Sequence, residues 1–323
     1  MKVAVVTTSI HYPENLISIQ RNAERYGHKD VIYIVAGDEK TPIETANSPH
    51  WNYLGFYEQQ ILSMDLYNVL PNNSISRRNF AFLAAYRQGA EVIISVDDDN
   101  WPTDCDFIGQ HQIGLRNLEP RYSKSGWYNV CGDGIYHRGY PLSHRGDIVL
   151  ARKGNPKEVR AVVNAGLWNG DPDIDAVTRL ALGRVRRFVA HEESFYLDKC
   201  WCPFNSQNTA IHRDVIPAYM MSAKLGRYDD IWASYMVQHI AEHLGDYIAF
   251  GQPVVEQRRN EHDVWKDFEQ EEYGMKHTEI FLEKLRSVPL KGSTYHECYG
   301  ELIINLRGWP MTKEMEVWHG LFS

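Results

Sequence analysis

The chain predicts an α/β fold: a mostly parallel sheet with helices on both faces, followed by a helical carboxyl-terminal tail. Three observations predict it. Runs rich in β-branched residues alternate with helical patterns through the first hundred residues. One run, Glu91 to Val96, ends directly on Asp97-Asp98-Asp99-Asn100. Open α/β sheets bind ligands at such carboxyl ends of their strands. From Ile231 onward the pattern turns helical and charged.

Val3 to Thr8 reads as the first strand. Its basic start leads into no apolar core or small-residue cleavage site, so it is not read as a secretory leader. Glu14 to Tyr26 reads as a helix with Leu16, Ile19, Ala23 and Tyr26 near one face and Gly27 as its stop. Asp30 to Val35 is a second strand, ending at Gly37-Asp38. Residues 40 to 54 read as loop, and Tyr57 to Tyr67 as helical or mixed. Ser76 caps a helix through Arg87 that Gly89 closes. Val92 to Val96 is the strand before the acidic triplet. Residues 120 to 175, rich in Gly, Tyr, Trp, Asn and Asp, read as loops with small extra strands. A helix from Ile231 to Leu244 stops at Gly245. Residues 265 to 287 are helical and charged. Glu301 to Phe322 is amphipathic, broken at Gly308-Trp309-Pro310. With no repeat or linker, residues 1–260 are expected to form one catalytic domain carrying a helical extension over 261–323.

The net charge of -8 argues against a general nucleic-acid binder, and no apolar stretch is long enough to span a bilayer. Five cysteines, few and odd in number, favour a reducing compartment, read here as cytoplasmic. Cys200-Trp201-Cys202, with His191 and His212 nearby, does not have a usual zinc-ligand spacing.

Three adjacent carboxylates repel one another unless a cation sits among them. Asp97 to Asp99 therefore suggest a divalent metal holding a phosphate-bearing ligand. Ser76-Arg77-Arg78-Asn79 lies one helix upstream, and the β-α-β geometry returns the acidic strand to the same side. Arg77 and Arg78 are then candidate phosphate contacts. Thr7, Thr8 and Asp38 end strands on that side and are candidates for nucleobase and ribose, or for ordinary turn chemistry. Residues His137 to Gly146 pack basic and aromatic residues around two glycines, a candidate anion or sugar contact. In Gly226-Arg227-Tyr228-Asp229-Asp230-Ile231-Trp232, one aspartate is a natural helix cap and the other can accept sugar hydroxyls beside the aromatic rings.

Four blocks carry a resemblance to the reversibly glycosylated polypeptides, the family that includes plant UDP-arabinopyranose mutases. They are the Asp97-Asp98-Asp99 strand, Arg138 to Arg145, Gly166-Leu167-Trp168 through Asp173, Asp175 and Thr178, and Gly226 to Trp232. Asn208 and Arg213-Asp214 add to it. The resemblance covers roughly residues 3 to 255. It implies a glycosyltransferase-A fold, a UDP-sugar ligand and manganese or magnesium. The nucleotide-binding part would be about 1–105 and the sugar or acceptor part about 106–260. The triplet supplies Asp97 and Asp98 to the nucleotide, with Asp97 and Asp99 as metal ligands. Tyr140, Trp168, Asp173, Asp175 and Asn208 are implied sugar contacts. Asp229, Asp230 and Arg145 are implied catalytic residues, Arg145 falling at the arginine that becomes reversibly glycosylated. A guanidinium is a poor nucleophile at its usual pKa, so that role comes from the resemblance alone. The sequence departs from the family at Gly146, where the family has glutamate, and at Gln257, where it has histidine; His262 is a substitute metal ligand. The expected activity is mutase-like exchange of pyranose and furanose forms, with a homo-oligomer compatible. The alternatives are a transferase acting on a separate acceptor and a non-catalytic nucleotide-sugar-binding partner. A metal-dependent phosphohydrolase predicts more histidines near the carboxylates.

Overall fold

Val3, Ala4, Val5 and Val6 are all buried, as are Val92 to Val96, because each strand is covered on both faces. That is why they read as continuous apolar runs rather than as alternating patterns. A computed structural model describes residues 1–111, 113–132, 134–146, 152–183, 185, 194–260 and 263–322. Its strands are β1 (Val3–Thr8), β2 (Val31–Ala36), β3 (Asn52–Leu54), β4 (Val92–Val96), β5 (Asn100–Pro102), β6 (Gly114–Tyr122), β7 (Arg152–Lys153), β8 (Lys157–Gly170), β9 (Phe195–Leu197), β10 (Asn208–His212) and β11 (Tyr247–Gln257). The helices are α1 (Glu14–Arg25), α2 (Ile43–Ala46), α3 (Phe56–Leu62), α4 (Met64–Val69), α5 (Arg78–Arg87), α6 (Phe107–Gln110), α7 (Ala176–Leu182), α8 (Asp229–Leu244), α9 (Val264–Arg286), α10 (Tyr295–Asn305) and α11 (Thr312–His319).

One sheet runs in the order β3-β2-β1-β4-β10-β8-β11-β9-β6-β7, with β5 paired to β11. Its first four strands are parallel, in register Val3 with Val31 and with Val92. Past β4 the sheet is mixed. β10 runs antiparallel to both β4 and β8, whereas β8 and β11 are parallel. The α/β class therefore holds, and the parallel arrangement is confined mainly to the first half. α5 packs on β1 and β2 and is buried from Arg78 to Ala85.

The expected loop over 40–54 contains α2 and β3. The helix expected from Tyr57 to Tyr67 is split at Ser63, whose extended backbone and hydroxyl cap α4 through the Leu66 N–H. Ser74, rather than Ser76, is the capping serine: its hydroxyl accepts from the Ser76 N–H and opens a short 3-10 turn before α5. The largest difference is β8, a fourteen-residue strand central to the sheet where loops with small extra strands were expected. Its asparagines and glycines resemble loop composition, yet two partner strands use its backbone on both edges.

The carboxyl-terminal helices join the same apolar core. The Trp232 ring of α8 stacks on Phe281 of α9 at 4.0 Å, and Trp318 of α11 donates its indole N–H to the Ile216 carbonyl at 3.1 Å. Among the described residues no helix is long and apolar enough to cross a membrane.

Candidate functional site

The acidic triplet occupies the turn where β4 ends. The Asp97 N–H bonds the Gln207 carbonyl at 3.0 Å, and the Asn100 N–H closes the turn on the Asp97 carbonyl at 3.2 Å. Asn15 of α1 braces it by donating to the Asp97 and Asn100 carbonyls, at 2.8 and 3.0 Å. Each carboxylate meets a different surrounding. Asp97 accepts from the Arg78 guanidinium at 2.7 Å. Asp98 accepts from the Ser9 hydroxyl and, at 3.2 Å, from the Asn260 side chain. Asp99 is 7% exposed and has weak partners: the Gln257 and Asn100 side-chain amides, each at 3.5 Å, and the Asn260 N–H at 3.4 Å. Burial, followed by the charges of Asp97 and Asp98, pushes the Asp99 carboxyl up to about 6. A carboxylate crowded this way favours any cation that relieves the repulsion.

The triplet opens into a cavity of about 200 Å³. Arg138, Asp173, Asp229 and Asp230 line it together with Arg78, Arg227 and Arg259. Two close approaches set this wall. At Gly139 (φ +83) a Cβ would lie 2.2 Å from Ile231, so the Arg138 turn can press against the start of α8. At Gly226 (φ +56) a Cβ would lie 2.1 Å from the Gln270 carbonyl, so the Arg227 segment crosses α9 at contact distance. Arg138 is thereby buried between two carboxylates, 2.9 Å from Asp173 and 3.2 Å from Asp230. Burial opposes its charge, but Asp173 and Asp230 outweigh burial and hold its pKa well above the ordinary value. Asp173 is held well below the usual carboxylate range, since Arg138 and His137 overcome its own burial.

Asp229 and Asp230 open α8 and divide their tasks. Asp230 accepts from the Ser206 N–H at 2.9 Å and from Arg138. Asp229 accepts from the Asp230 N–H at 2.8 Å. Burial and then the neighbouring Asp230 push the Asp229 carboxyl up to about 8.

A second compartment of about 340 Å³ adjoins the first, sharing Thr8, Ile75, Asp98 and Asn260 with it. Ser9, Ile10, His11, Asp38 and Lys40 complete much of its wall. Asp38 spends its carboxylate on the chain, accepting from the N–H groups of Glu39, Asn73 and Ser74. It thus fixes the loop that carries Ile75. Thr8 lines both compartments with its hydroxyl donated to the Ala36 carbonyl, whereas Thr7 is fully buried and lines neither.

Several expected contacts are not brought to these compartments. Arg77 points the other way. Its guanidinium donates to Gln59, to the Pro71 and Leu70 carbonyls and to Asn72, beneath the rings of Phe56 and Tyr67. One residue of helical rotation separates this structural arginine from Arg78. Arg77→Met is therefore expected to cost about 3 kcal/mol, because buried acceptors lose their donor. Urea unfolding should show it, with nucleotide affinity of the folded fraction unchanged.

Arg145 pairs with Asp175 at 2.5 Å and donates to Thr178 and the Tyr140 carbonyl, and it does not line the crevice. Asp175 is the cap of α7. Tyr140 is buried against Trp127 and Tyr136, and Trp168 packs its ring against His137. Asn208 is fully buried between His111 and the Leu167 carbonyl. His262 lies outside the described residues.

Sequence reasoning overlooked Asn205, Ser206, Gln207, Arg259 and Asn260, and it named the segments of Arg138, Arg227 and Gln257 without singling out those side chains as crevice contacts. Arg138 was inside a recognised block; its chemical signal was a basic residue in an acidic chain. Among the described residues, no three His, Cys, Asp or Glu side chains converge into a complete metal-binding group. The oxygen-only donors of Asp97 and Asp99 nevertheless suit a hard divalent ion that also takes phosphate oxygens.

Comparison with known proteins agrees with this sequence reading. A probable UDP-arabinopyranose mutase 5 of Arabidopsis thaliana is 27% identical over 198 residues, 56% of this chain and 53% of that one. A probable UDP-arabinopyranose mutase 1 of Solanum tuberosum is 27% identical over 241 residues, 70% and 62% of the two chains. The chain spans between half and two thirds of the length of these relatives. Glucosyl-3-phosphoglycerate synthase from Mycobacterium tuberculosis, solved with Mn2+, UDP and phosphoglyceric acid, is 13% identical at a TM-score of 0.47, covering 90% of this chain and 80% of that one. The model of the reversibly glycosylated polypeptide family matches residues 26–311, most of the sequence, and the chain belongs to that family.

Proposed function

We propose that the chain is a metal-dependent, glycosyltransferase-A-like enzyme that exchanges the pyranose and furanose forms of a UDP-linked sugar. One observation carries this reading. Two compartments meet at the acidic triplet, one of about 340 Å³ walled by Thr8, Ser9, His11 and Asp38 and the other walled by Arg138, Asp229 and Asp230. A nucleotide-sugar has the same division, with its diphosphate between the halves. Manganese or magnesium, held by Asp99 and Asp97, would neutralise the diphosphate charge.

The chain's own residues supply the rest. Burial pushes the Asp97 carboxyl up, and Arg78 opposes that shift in part while holding the side chain in place; Ser9 and Asn260 fix Asp98. Contraction of the sugar ring exchanges its ring oxygen for a hydroxyl, so one oxygen gains a proton and another loses one. Asp229, with its carboxyl near 8, retains its proton at neutral pH and fits that exchange. The Asp173 and Asp230 carboxylates, fixed in place by Arg138 between them, would be the negative charges facing the transient electron-poor sugar. The Arg138 Nε and Nη1 hold those carboxylates and the Arg227 carbonyl. The geometry thus favours Arg138 over Arg145 for the arginine that meets the sugar. Asp173, ionised and facing the same cavity, remains a sugar contact in this reading. A cytoplasmic setting belongs to the same proposal.

The test is incubation with a panel of UDP-sugars and manganese, followed by chromatography of the products. Isomerised UDP-sugar without free UDP is the expected outcome. Free UDP with a glycosylated acceptor would replace the mutase reading by a transferase.

A further inference from the structure

Three buried amides link the carboxylate on the sugar side of the crevice to the one on its metal side. Asn205 donates through its Nδ2 to the Asp173 carboxylate at 2.7 Å and to the Gln207 side-chain oxygen at 2.9 Å. Gln207 donates in turn to the Gln257 side-chain oxygen at 3.2 Å, and Gln257 to Asp99 at 3.5 Å. All five residues line the same cavity, and all five are buried.

A primary amide has one donor end and one acceptor end, so a chain of them has a sense. Here the sense is set at the Asp173 end. Asp173 is held ionised by Arg138, 2.9 Å away, and can only accept. The Asn205 oxygen takes the Gln207 backbone N–H at 3.3 Å, which leaves the Asn205 nitrogen for Asp173 and the Gln207 side chain. Gln207 then meets Asn205 with its oxygen and Gln257 with its nitrogen. Gln257 is left with its nitrogen turned to Asp99. Reversing Gln257 would set two amide nitrogens against each other and an amide oxygen against a carboxylate, all buried. The contact with Asp99 is too long to impose this sense by itself, so Gln207 imposes it. The Gln207 backbone is anchored at the same place, its carbonyl accepting from the Asp97 N–H at 3.0 Å and from the Asn100 side chain at 3.3 Å.

We infer that Gln207 is a positioning residue that acts through Gln257: it keeps an N–H donor, rather than an oxygen, turned to Asp99, and so orients that carboxylate. The Gln257 oxygen is thereby reserved for Gln207 and is not offered to a cation. For its meaning in the reaction the inference rests on the proposed metal site at Asp99, but one arm of its test needs no metal.

Gln207→Met and Gln257→Met each keep an unbranched side chain of similar length and remove its amide. Calorimetric titration of the full-length chain with manganese alone is expected to show each variant binding ~10-fold more weakly, the scale of losing a group that orients a metal ligand. The double variant should bind no worse than Gln257→Met, because Gln207 acts only through Gln257. Losses that multiply in the double variant, or unchanged or tighter binding in folded Gln207→Met, would overturn the inference. The metal-free arm follows the Gln257 side-chain N–H resonances by NMR in protein labelled at glutamine, identified by their absence from Gln257→Met. Asp99→Asn should shift them in the wild-type background and shift them less in the Gln207→Met background. A wild-type chain that binds no manganese would reject the metal reading of Asp99, and the NMR arm would then decide the role of Gln207 alone. Equal shifts in the two backgrounds would overturn that role.

Discussion

Asp99→Asn is expected to remove manganese-dependent UDP binding while leaving the folded chain intact. The change keeps the side-chain volume and deletes the charge that a metal requires. Losing a partner that merely supports a metal ligand commonly costs ~10–100-fold in affinity, so loss of a ligand itself should exceed ~100-fold. Calorimetric titration with and without manganese measures it; undiminished affinity would remove Asp99 from the site. The pH dependence has a definite sign. With its carboxyl near 6, Asp99 binds metal better as pH rises through that value. Without metal, its raised pKa stabilises the folded chain fully below about 3.9, the ordinary carboxylate value, and that contribution is lost as pH rises through 6. Thermal melts should therefore show manganese stabilising the protein more above pH 6 than below it.

Arg138→Met is expected to produce the largest combined loss, of stability and of turnover. Asp173 and Asp230, both buried, would be left without the cation between them. Breaking one side of such a buried arrangement costs about 3–5 kcal/mol. Arg138→Lys should recover part of the stability, because it restores charge but not the fork that spans two carboxylates. Arg145→Ala provides the contrast: its ion pair with Asp175 anchors the start of α7 outside the crevice, so UDP affinity should persist. Denaturant unfolding and product analysis on the same variants separate the two effects. Wild-type turnover in soluble Arg138→Met would exclude Arg138 from the reaction and reopen the case for Arg145.

The first half of the fold was legible because its signals are local. β1, α1, β2 and β4 each carry a continuous apolar run or one apolar face, and glycines at positions 27 and 89 adopt the left-handed turns that close α1 and α5. The second half depends on pairing between distant segments. β10 is five residues long and becomes central through β4 and β8, neither of which adjoins it in sequence. β8 has loop-like composition and is a strand because of its partners. The same distinction runs through the site. A run of three aspartates after a strand announces itself, whereas the division between Arg77 and Arg78 is a matter of helical phase. Arg138 and Arg145 share one block, and only the approach of Gly139 to Ile231 and the pairing of Arg145 with Asp175 separate their surroundings. Gln207 and Asn260 reach the triplet from loops with no chemical motif of their own.

The central claim is that the triplet holds a metal-bound diphosphate at the junction of two compartments. Anomalous diffraction from crystals grown with manganese and UDP tests it most directly, since manganese is located by its own scattering. The predicted result is a manganese peak against the Asp99 carboxylate, with the nucleoside beside Ile75 and Thr8 and the diphosphate at Asp98. A manganese peak away from the triplet, or UDP seated outside both compartments, would contradict it.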